Sequence, residues 1–598
     1  MSSPEALLLK NIIMKKIYVY LIFCLTISLW SCEDYYDTDN DPVVYGVTYF
    51  KADLHTDKAS YKPGETVRFY LKEKPSGNVK VRYSHLGKVI SEETLSSATW
   101  DWTAPSDDYK GYMVDIYEVT DNAEKIHQSI AVDVSSDWKK FPRYGFLSSY
   151  GKLSENEIEN NIEALNRYHI NGIQFYDWMY DHQRPLAGTV DNPSASWADL
   201  IGRTNYLSTV KGYINAAHNK GMKAMFYNLA FGALSNAAAD GVKEEWYLFK
   251  DQNHTEKDNH HLDAPFRSSI YLTNPGNKEW QDYIAGRHGD VYKVFDFDGY
   301  HIDQLGNRGT VYDYTGNAVK LEETYKPFIS AMKQANPDKR LVMNAVSQYG
   351  QQKSIAKSEV DFLYTEVWDE SKTFDQLAQV ILDNNSYSGN EKATVLAAYM
   401  NYARSNNSGY INTPGILLTN AVIFSFGGSH LELGEHYLSN EYFPNSNLQM
   451  KSGTKESLTH YYDFLVAYQN ILRDGGTFSP INVQSAAGTL SFENWPASQG
   501  SIAVVGKKFT DKDVVHLINF SQANSMEWRD TNGTQKEPSL VAGIQVKVTA
   551  SKAVSKVWIA SPDINGGVAI NTEFSQSDNE VLLTLPSLKY WDMLVLEY

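Results

Sequence analysis

The stretch Phe297-Asp298-Gly299-Tyr300-His301-Ile302-Asp303-Gln304-Leu305-Gly306 decides the fold. It is a short apolar and aromatic run closed by a carboxylate, the form of a strand buried on both faces. Seven further segments repeat it, at residues 143–149, 172–177, 223–229, 340–346, 362–368, 394–402 and 421–427. Helix-like stretches separate them. One covers residues 154–167, where Ser154 with Glu157 three positions on makes a capping-box pattern. Another covers residues 206–220. Alternating strands and helices build a parallel sheet. Eight such units predict a (β/α)8 TIM barrel over residues 139–480. An open doubly wound sheet is the structural alternative. It would need a glycine-rich phosphate turn after its first strand, and Ser148-Ser149-Tyr150-Gly151 is not one.

The flanks read as β-structure. Residues 43–138 carry short β-like runs at 43–48, 66–71, 79–84 and 112–118, with turns at Lys62-Pro63-Gly64 and Pro75-Ser76-Gly77. That spacing predicts an N-terminal immunoglobulin-like β-sandwich. Residues 481–598 carry runs at 501–508, 514–520, 543–549, 555–559 and 581–585, which predict a C-terminal β-sandwich. The whole is a multidomain chain with the barrel at its centre.

The N-terminus reads as an address. Lys15-Lys16 precedes an apolar run over 17–29, the layout of a secretory signal and too short for a comfortable membrane span. Met14 is its natural start. The run ends in Leu29-Trp30-Ser31-Cys32, which resembles a bacterial lipobox. That makes residues 1–31 a signal peptide and Cys32 a lipidated first residue; an uncleaved anchor helix is the alternative. Residues 32–42 form an acidic tether that resembles the export signal of Bacteroidetes surface lipoproteins. The expected location is the outer membrane, at the cell surface or the periplasmic face, held by lipid alone because an anionic tether does not bind a membrane electrostatically. Asp37, Asp39 and Asp41 begin with calcium-loop spacing, but Pro42 replaces the required glycine and no Glu closes the loop, so no metal site is expected there.

Composition narrows the partners. The 598 residues carry 72 acidic against 54 basic side chains, a net charge of -18, so nucleic acid is not an expected partner. Cys24 and Cys32 are the only cysteines, which excludes a disulfide framework or a cysteine-rich zinc site. Aromatic residues make up 13% of the chain, which suits either sugar-stacking surfaces or large β-cores.

In a barrel of this type the chemistry sits at the carboxyl ends of the strands. Those ends hold Tyr176, Asp177, Trp178, Tyr227, Asn228, Asp303, Gln304, Asn344, Glu366, Trp368, Asn401, Tyr402, His430 and Glu432. Carboxylates and amides bind hydroxyls, and aromatic planes stack on sugar rings. Asp303 and Glu366 stand out, because an acid closing a buried strand is costly unless it has partners or a task. Glycoside hydrolysis needs such a pair, one ionised and one holding its proton near neutral pH. Strands four and six lie on one side of an eight-stranded barrel, which predicts carboxyls about 5 Å apart, the retaining geometry. The alternative for either is a structural acid held by Arg or backbone amides. His254, His260 and His261 read as a solvated polar loop, and the histidines of His430-Leu431-Glu432-Leu433-Gly434-Glu435-His436 do not have zinc-protease spacing.

These motifs resemble glycoside hydrolase family 66, the dextranases and cycloisomaltooligosaccharide glucanotransferases. The resemblance rests on Arg143-Tyr144-Gly145-Phe146-Leu147, on Gln174-Phe175-Tyr176-Asp177-Trp178-Met179-Tyr180-Asp181-His182, on the stretch from Phe297 to Gly306, on Tyr364-Thr365-Glu366-Val367-Trp368 and on the segment from His430 to His436. Leu585-Pro586-Ser587-Leu588-Lys589-Tyr590-Trp591-Asp592-Met593 also fits. The resemblance implies endo-cleavage of α-1,6-glucan (dextran) to isomaltooligosaccharides with retention, Asp303 as nucleophile and Glu366 as acid/base. It implies no cofactor and no metal in the chemistry. His301-Ile302-Asp303-Gln304 departs from the family pattern beside the nucleophile. Cyclising members carry an extra carbohydrate-binding module within the barrel region, and no loop here is long enough for one, so the expectation is a monomeric endo-dextranase. A cyclising transferase, a surface glycan-binding lipoprotein with a dead barrel, and a hydrolase of another α-glucan such as starch are the rivals.

Overall fold

The computed structural model describes residues 53–120 and 123–598. The expected signal peptide, Cys32, the tether and the 43–48 strand lie outside the described residues.

Eight strands form the central sheet: β1 (Tyr144–Leu147), β2 (Gly172–Phe175), β3 (Lys223–Leu229), β4 (Gly299–Asp303), β5 (Arg340–Asn344), β6 (Leu363–Glu366), β7 (Thr394–Ala397) and β8 (Ser429–His430). Each pairs in parallel with the next in sequence. Just beyond β8, Phe146 bridges Gly434, and the Phe146 amide donates to the Leu433 carbonyl at 3.2 Å, so the barrel is nearly closed. Seven helices return the chain: α1 (Glu155–Arg167), α2 (Leu207–Asn219), α3 (Lys278–Val294), α4 (Leu321–Ala335), α5 (Phe374–Tyr387), α6 (Thr413–Ser425) and α7 (Ser452–Ala467). After β5 two short 3-10 turns, Val346–Gln348 and Ile355–Lys357, take the place of a helix. The capping box of α1 forms as read, with Ser154 and Glu157 exchanging side-chain and backbone bonds.

Strand side chains point alternately to opposite faces, and here that alternation divides two cores. Tyr144, Phe146, Met225, Val342, Phe362, Tyr364, Val395 and Ala397 share one cluster inside the barrel. Their strand neighbours Leu147, Phe226, Tyr300, Ile302, Leu341, Met343, Leu363 and Leu396 belong to the cluster under the helices. Asp303, Asn344 and Glu366 fall on the inward parity, at the last residue of β4, β5 and β6.

One strand expectation is corrected. Residues 421–427 belong largely to α6, and the eighth strand is the two-residue β8 behind it. Every residue of α6 from Gly415 to Ser425 is buried. A helix apolar all round has no 3.6-residue signal to separate it from a buried strand.

Both flanks are sheet. On the N-terminal side, Leu54–Thr56, Thr66–Leu71 and Thr99–Thr103 form one antiparallel sheet, and Lys80–His85, Lys88–Thr94, Lys110–Thr120 and Ala123–Val134 another. Val67 and Phe69 of the first share a core with Val81, Val114 and Val132 of the second. On the C-terminal side, a sheet holding Ile502–Lys508, Lys512–Asn519, Trp591–Glu597 and Lys556–Ala560 packs on one holding Val541–Thr549 and Glu580–Leu588. Both arrangements are consistent with sandwiches.

Candidate active site

The inward parity and the ends of β4, β5 and β6 bring two carboxylates and an amide together. The Asn344 Nδ2 group donates to Asp303 Oδ1 at 2.8 Å and to Glu366 Oε2 at 2.9 Å. Those two oxygens therefore lie at most about 5.7 Å apart, the limit set by the two bonds in line. The Glu366 backbone amide donates to Asn344 Oδ1 at 3.3 Å, which fixes which way the side-chain amide points. Each acid has a second donor: the Tyr227 hydroxyl reaches Asp303 Oδ2 at 2.7 Å, and the Tyr399 hydroxyl reaches Glu366 Oε1 at 2.9 Å.

The two acids sit in different fields. Burial pushes Glu366 up to about 7, and the neighbouring Asp303 charge adds to this, while the bonds from Asn344 and Tyr399 pull the other way. Burial also raises Asp303, opposed by Asn344, Tyr227 and the Gln304 backbone amide. Both carboxyls are thus raised: Glu366 keeps its proton near neutrality, helped by the Asp303 charge, while three donors oppose the rise of Asp303, the kind of asymmetry that acid-plus-nucleophile chemistry uses.

Other candidates join the pair. Tyr176 stacks on Phe443 with centroids 4.2 Å apart and leans on Tyr227 at 4.8 Å. Asp177 follows β2 in the left-handed region, at φ 48, and burial together with the Asp199 and Asp303 charges outweighs Arg203 to push it up to about 7. Among the described residues its carboxylate takes no side-chain hydrogen bond, which leaves it free to bind a hydroxyl. Trp368 and Tyr402, half-buried with ring centroids 5.8 Å apart, stand on the Glu366 side.

Six expected binding residues are structural instead. Gln304 and Asn228 have the opposite parity from Asp303 and Tyr227, so they turn outward beneath the helices. Gln304 accepts from the Gly306 amide, and Asn228 bonds His182 Nδ1 at 2.8 Å. Trp178, past the turn at Asp177, is wholly buried against Phe295 and Phe297, with its indole donating to the Tyr227 carbonyl at 3.2 Å. His430 and Glu432 are wholly enclosed: Asn420 of α6 bonds both, and Tyr437 and Tyr462 donate to Glu432. Asn401 spends its amide on the Asp530 carbonyl and the Asn412 amide. Their side chains lie out of solvent, and apart from the Gln304 Nε2 group, which is buried without a partner, the bonds named here hold the rim in shape.

Three residues escaped the sequence reading. Glu441 is exposed, accepts from the Tyr402 hydroxyl at 2.9 Å, and its charge acts on Glu366. Phe443 supports Tyr176. Arg529, from the C-terminal β-region, lies over the Trp368 and Tyr402 rings. Strand-end reading finds only residues on strands. Glu441 and Phe443 lie past β8 in a loop, and Arg529 arrives from more than a hundred residues away.

A barrel of parallel strands with paired, differently tuned carboxylates at its carboxyl rim is the architecture of enzymes that break or transfer glycosidic bonds. The chain belongs to glycosyl hydrolase family 66, whose model matches residues 56–595. It is 27% identical to a cycloisomaltooligosaccharide glucanotransferase of Niallia circulans, over 91% of this chain and 71% of that protein. It is 24% identical to a dextranase of Streptococcus salivarius, over 81% of this chain and 67% of that protein. Among solved structures, the Paenibacillus sp. cycloisomaltooligosaccharide glucanotransferase complexed with cycloisomaltoheptaose superposes with a TM-score of 0.82 at 27% identity, covering 92% of this chain and all of that one.

Proposed function

We propose that the chain is a retaining endo-hydrolase of α-1,6-linked glucan, cleaving dextran to isomaltooligosaccharides. The observation that carries the reading is the Asn344 amide held between Asp303 and Glu366, whose two bonds limit the bridged carboxyl oxygens to at most about 5.7 Å apart, which favours the retaining separation of about 5–5.5 Å over the roughly 6.5–9.5 Å of an inverting pair. Asp303 attacks the anomeric carbon as the glycosidic C–O bond breaks, and Glu366 gives its proton to the departing glucosyl oxygen. Glu366, now a carboxylate, takes a proton from water; the water oxygen bonds the anomeric carbon and Asp303 leaves with its electron pair. Asp177 binds hydroxyls beside the reacting sugar, and Tyr176, Trp368 and Tyr402 supply ring platforms. No step calls on a metal or cofactor.

A glucanotransferase is the second reading, favoured by the names of the 27% identical relatives. It differs only at the second step, where a sugar hydroxyl replaces water. Against it stands length: the 715-position alignment to the Niallia protein takes in only about 544 residues of this chain, so about 170 positions are residues that this chain lacks. We also infer that Cys32 carries the lipid that anchors the chain.

The test is to incubate the full chain with dextran, pullulan and starch and to follow reducing ends and cyclic products. New linear ends from dextran are expected, and Asp303→Asn and Glu366→Gln should each lose about a thousandfold or more in kcat. Near-normal turnover by either variant overturns the assignment. Binding without new ends favours a glycan-binding protein, and cyclic products favour the transferase.

A further inference from the structure

Residues 526–535 leave the C-terminal β-region and run along the barrel rim. The Phe374 amide donates to the Met526 carbonyl at 3.0 Å, the Asn401 amide to Arg529 at 2.9 Å and the Ala403 amide to Thr531 at 3.1 Å. The Thr419 hydroxyl of α6 donates to the Trp528 carbonyl at 2.8 Å. This segment is thus fastened to the loops after β6 and β7 and to α6.

Its arginine reaches the site. The Arg529 guanidinium donates to the Val367 carbonyl at 3.0 Å and to the Tyr399 carbonyl at 3.4 Å. It lies 5.4 Å from the Trp368 ring, 5.3 Å from Tyr402 and 4.7 Å from Trp528. Val367 and Trp368 directly follow Glu366, and Tyr399 is the side chain that bonds Glu366 Oε1. The Arg529 side chain is 7% exposed, and among the described residues its ion pair is to Asp369 at 3.9 Å, whose side chain is 85% exposed. A buried cation with so loose a counter-ion is a poor choice for stability. A planar fork that bonds two carbonyls while its faces meet aromatic rings is a good choice for holding geometry.

We propose that Arg529 is a positioning residue of the active site: it holds the Trp368–Tyr402 wall and the Tyr399 contact to Glu366, so that the C-terminal β-region completes the catalytic cleft. The inference rests on the reading of Glu366 as the working acid.

The experiment uses the full chain with Arg529→Met and Arg529→Lys, thermal melts to verify folding, kcat and KM on dextran, and the pH profile of kcat/KM. Arg529→Met should raise KM about tenfold and lower kcat less, through loss of the platform. Its alkaline limb should move up as Tyr399 loses its hold on Glu366. Arg529→Lys, which keeps the cation over the rings but not the fork, should recover KM in part and leave the limb displaced. A crystal structure of Arg529→Met, which does not depend on turnover, should show Trp368 and Tyr402 displaced. If the unaltered chain cleaves dextran and both variants keep its KM and alkaline limb, or if the rings stay in place, the inference is overturned and the functional reading stands. If the unaltered chain makes no new ends from any of the three glucans, the functional reading itself is overturned, and the inference with it.

Discussion

Asn344 does at the residue scale what no single acid can do. Its one amide group is hydrogen-bonded to both carboxylates, and its oxygen is pinned by the Glu366 backbone. The two tyrosines then separate the partners, and their removal should move the two limbs of the pH profile of kcat/KM independently. Tyr399→Phe removes a bond that favours ionised Glu366, so the alkaline limb, set near about 7, should rise. Tyr227→Phe removes one that favours ionised Asp303, so the acid limb should rise. Glu366 also has a stability cost. Its carboxyl is raised above its ordinary value of 4.5, so its contribution is fully present below that value and is lost as pH rises through about 7. Glu366→Gln should therefore be more stable than the unaltered chain at pH 8, by on the order of 1–3 kcal/mol in denaturant unfolding, and gain little at pH 4. Asp303 and Glu366 were legible in the sequence because an acid closing a buried strand has no cheap explanation. Gln304 and Asn228 were misread because adjacent strand residues face opposite ways, and strand ends alone do not give the parity. Nothing local to Glu441 or Arg529 marked them, since their meaning comes from contacts across the fold.

Among the elements, the barrel strands were the readable ones. Seven of them stand where the apolar runs placed them, because each run is short, bounded and followed by a loop. The eighth failed, since α6 is buried on every side and β8 has only two residues, too few to leave a pattern. Helix α6 works as a strut: its Asn420 ties β8 through His430 and Glu432, and its Thr419 holds the Trp528 carbonyl. Leu418→Ala, at a wholly buried position of this helix, should cost about 2–5 kcal/mol in urea unfolding. Because the strut also backs the rim, the same variant should lose activity at a lower urea concentration than the unaltered chain.

The whole molecule is welded by buried charge as well as by its common core. Asp133 of the N-terminal sheet pairs with Arg143 at 2.7 Å, both nearly unexposed, and the same arginine bonds the carbonyls of Phe141 and His169. Asp463 of α7 receives Arg167, His169 and the Ala131 amide. Breaking one partner of a buried pair strands the other, so Asp133→Asn should cost on the order of 3–5 kcal/mol, read as a lower denaturant midpoint. The short apolar runs and their turns foresaw sheets at both ends but not these ties, because a buried pair looks in sequence like any two charges. At the far N-terminus, Cys32→Ser should release the chain from membranes into the soluble fraction if Cys32 is its anchor. The central claim, that Asp303 and Glu366 cleave with retention, is tested most directly by proton NMR of dextran during the first minutes of digestion. The α-anomer of the new reducing end should appear first and then decay toward equilibrium; first appearance of the β-anomer would contradict the account.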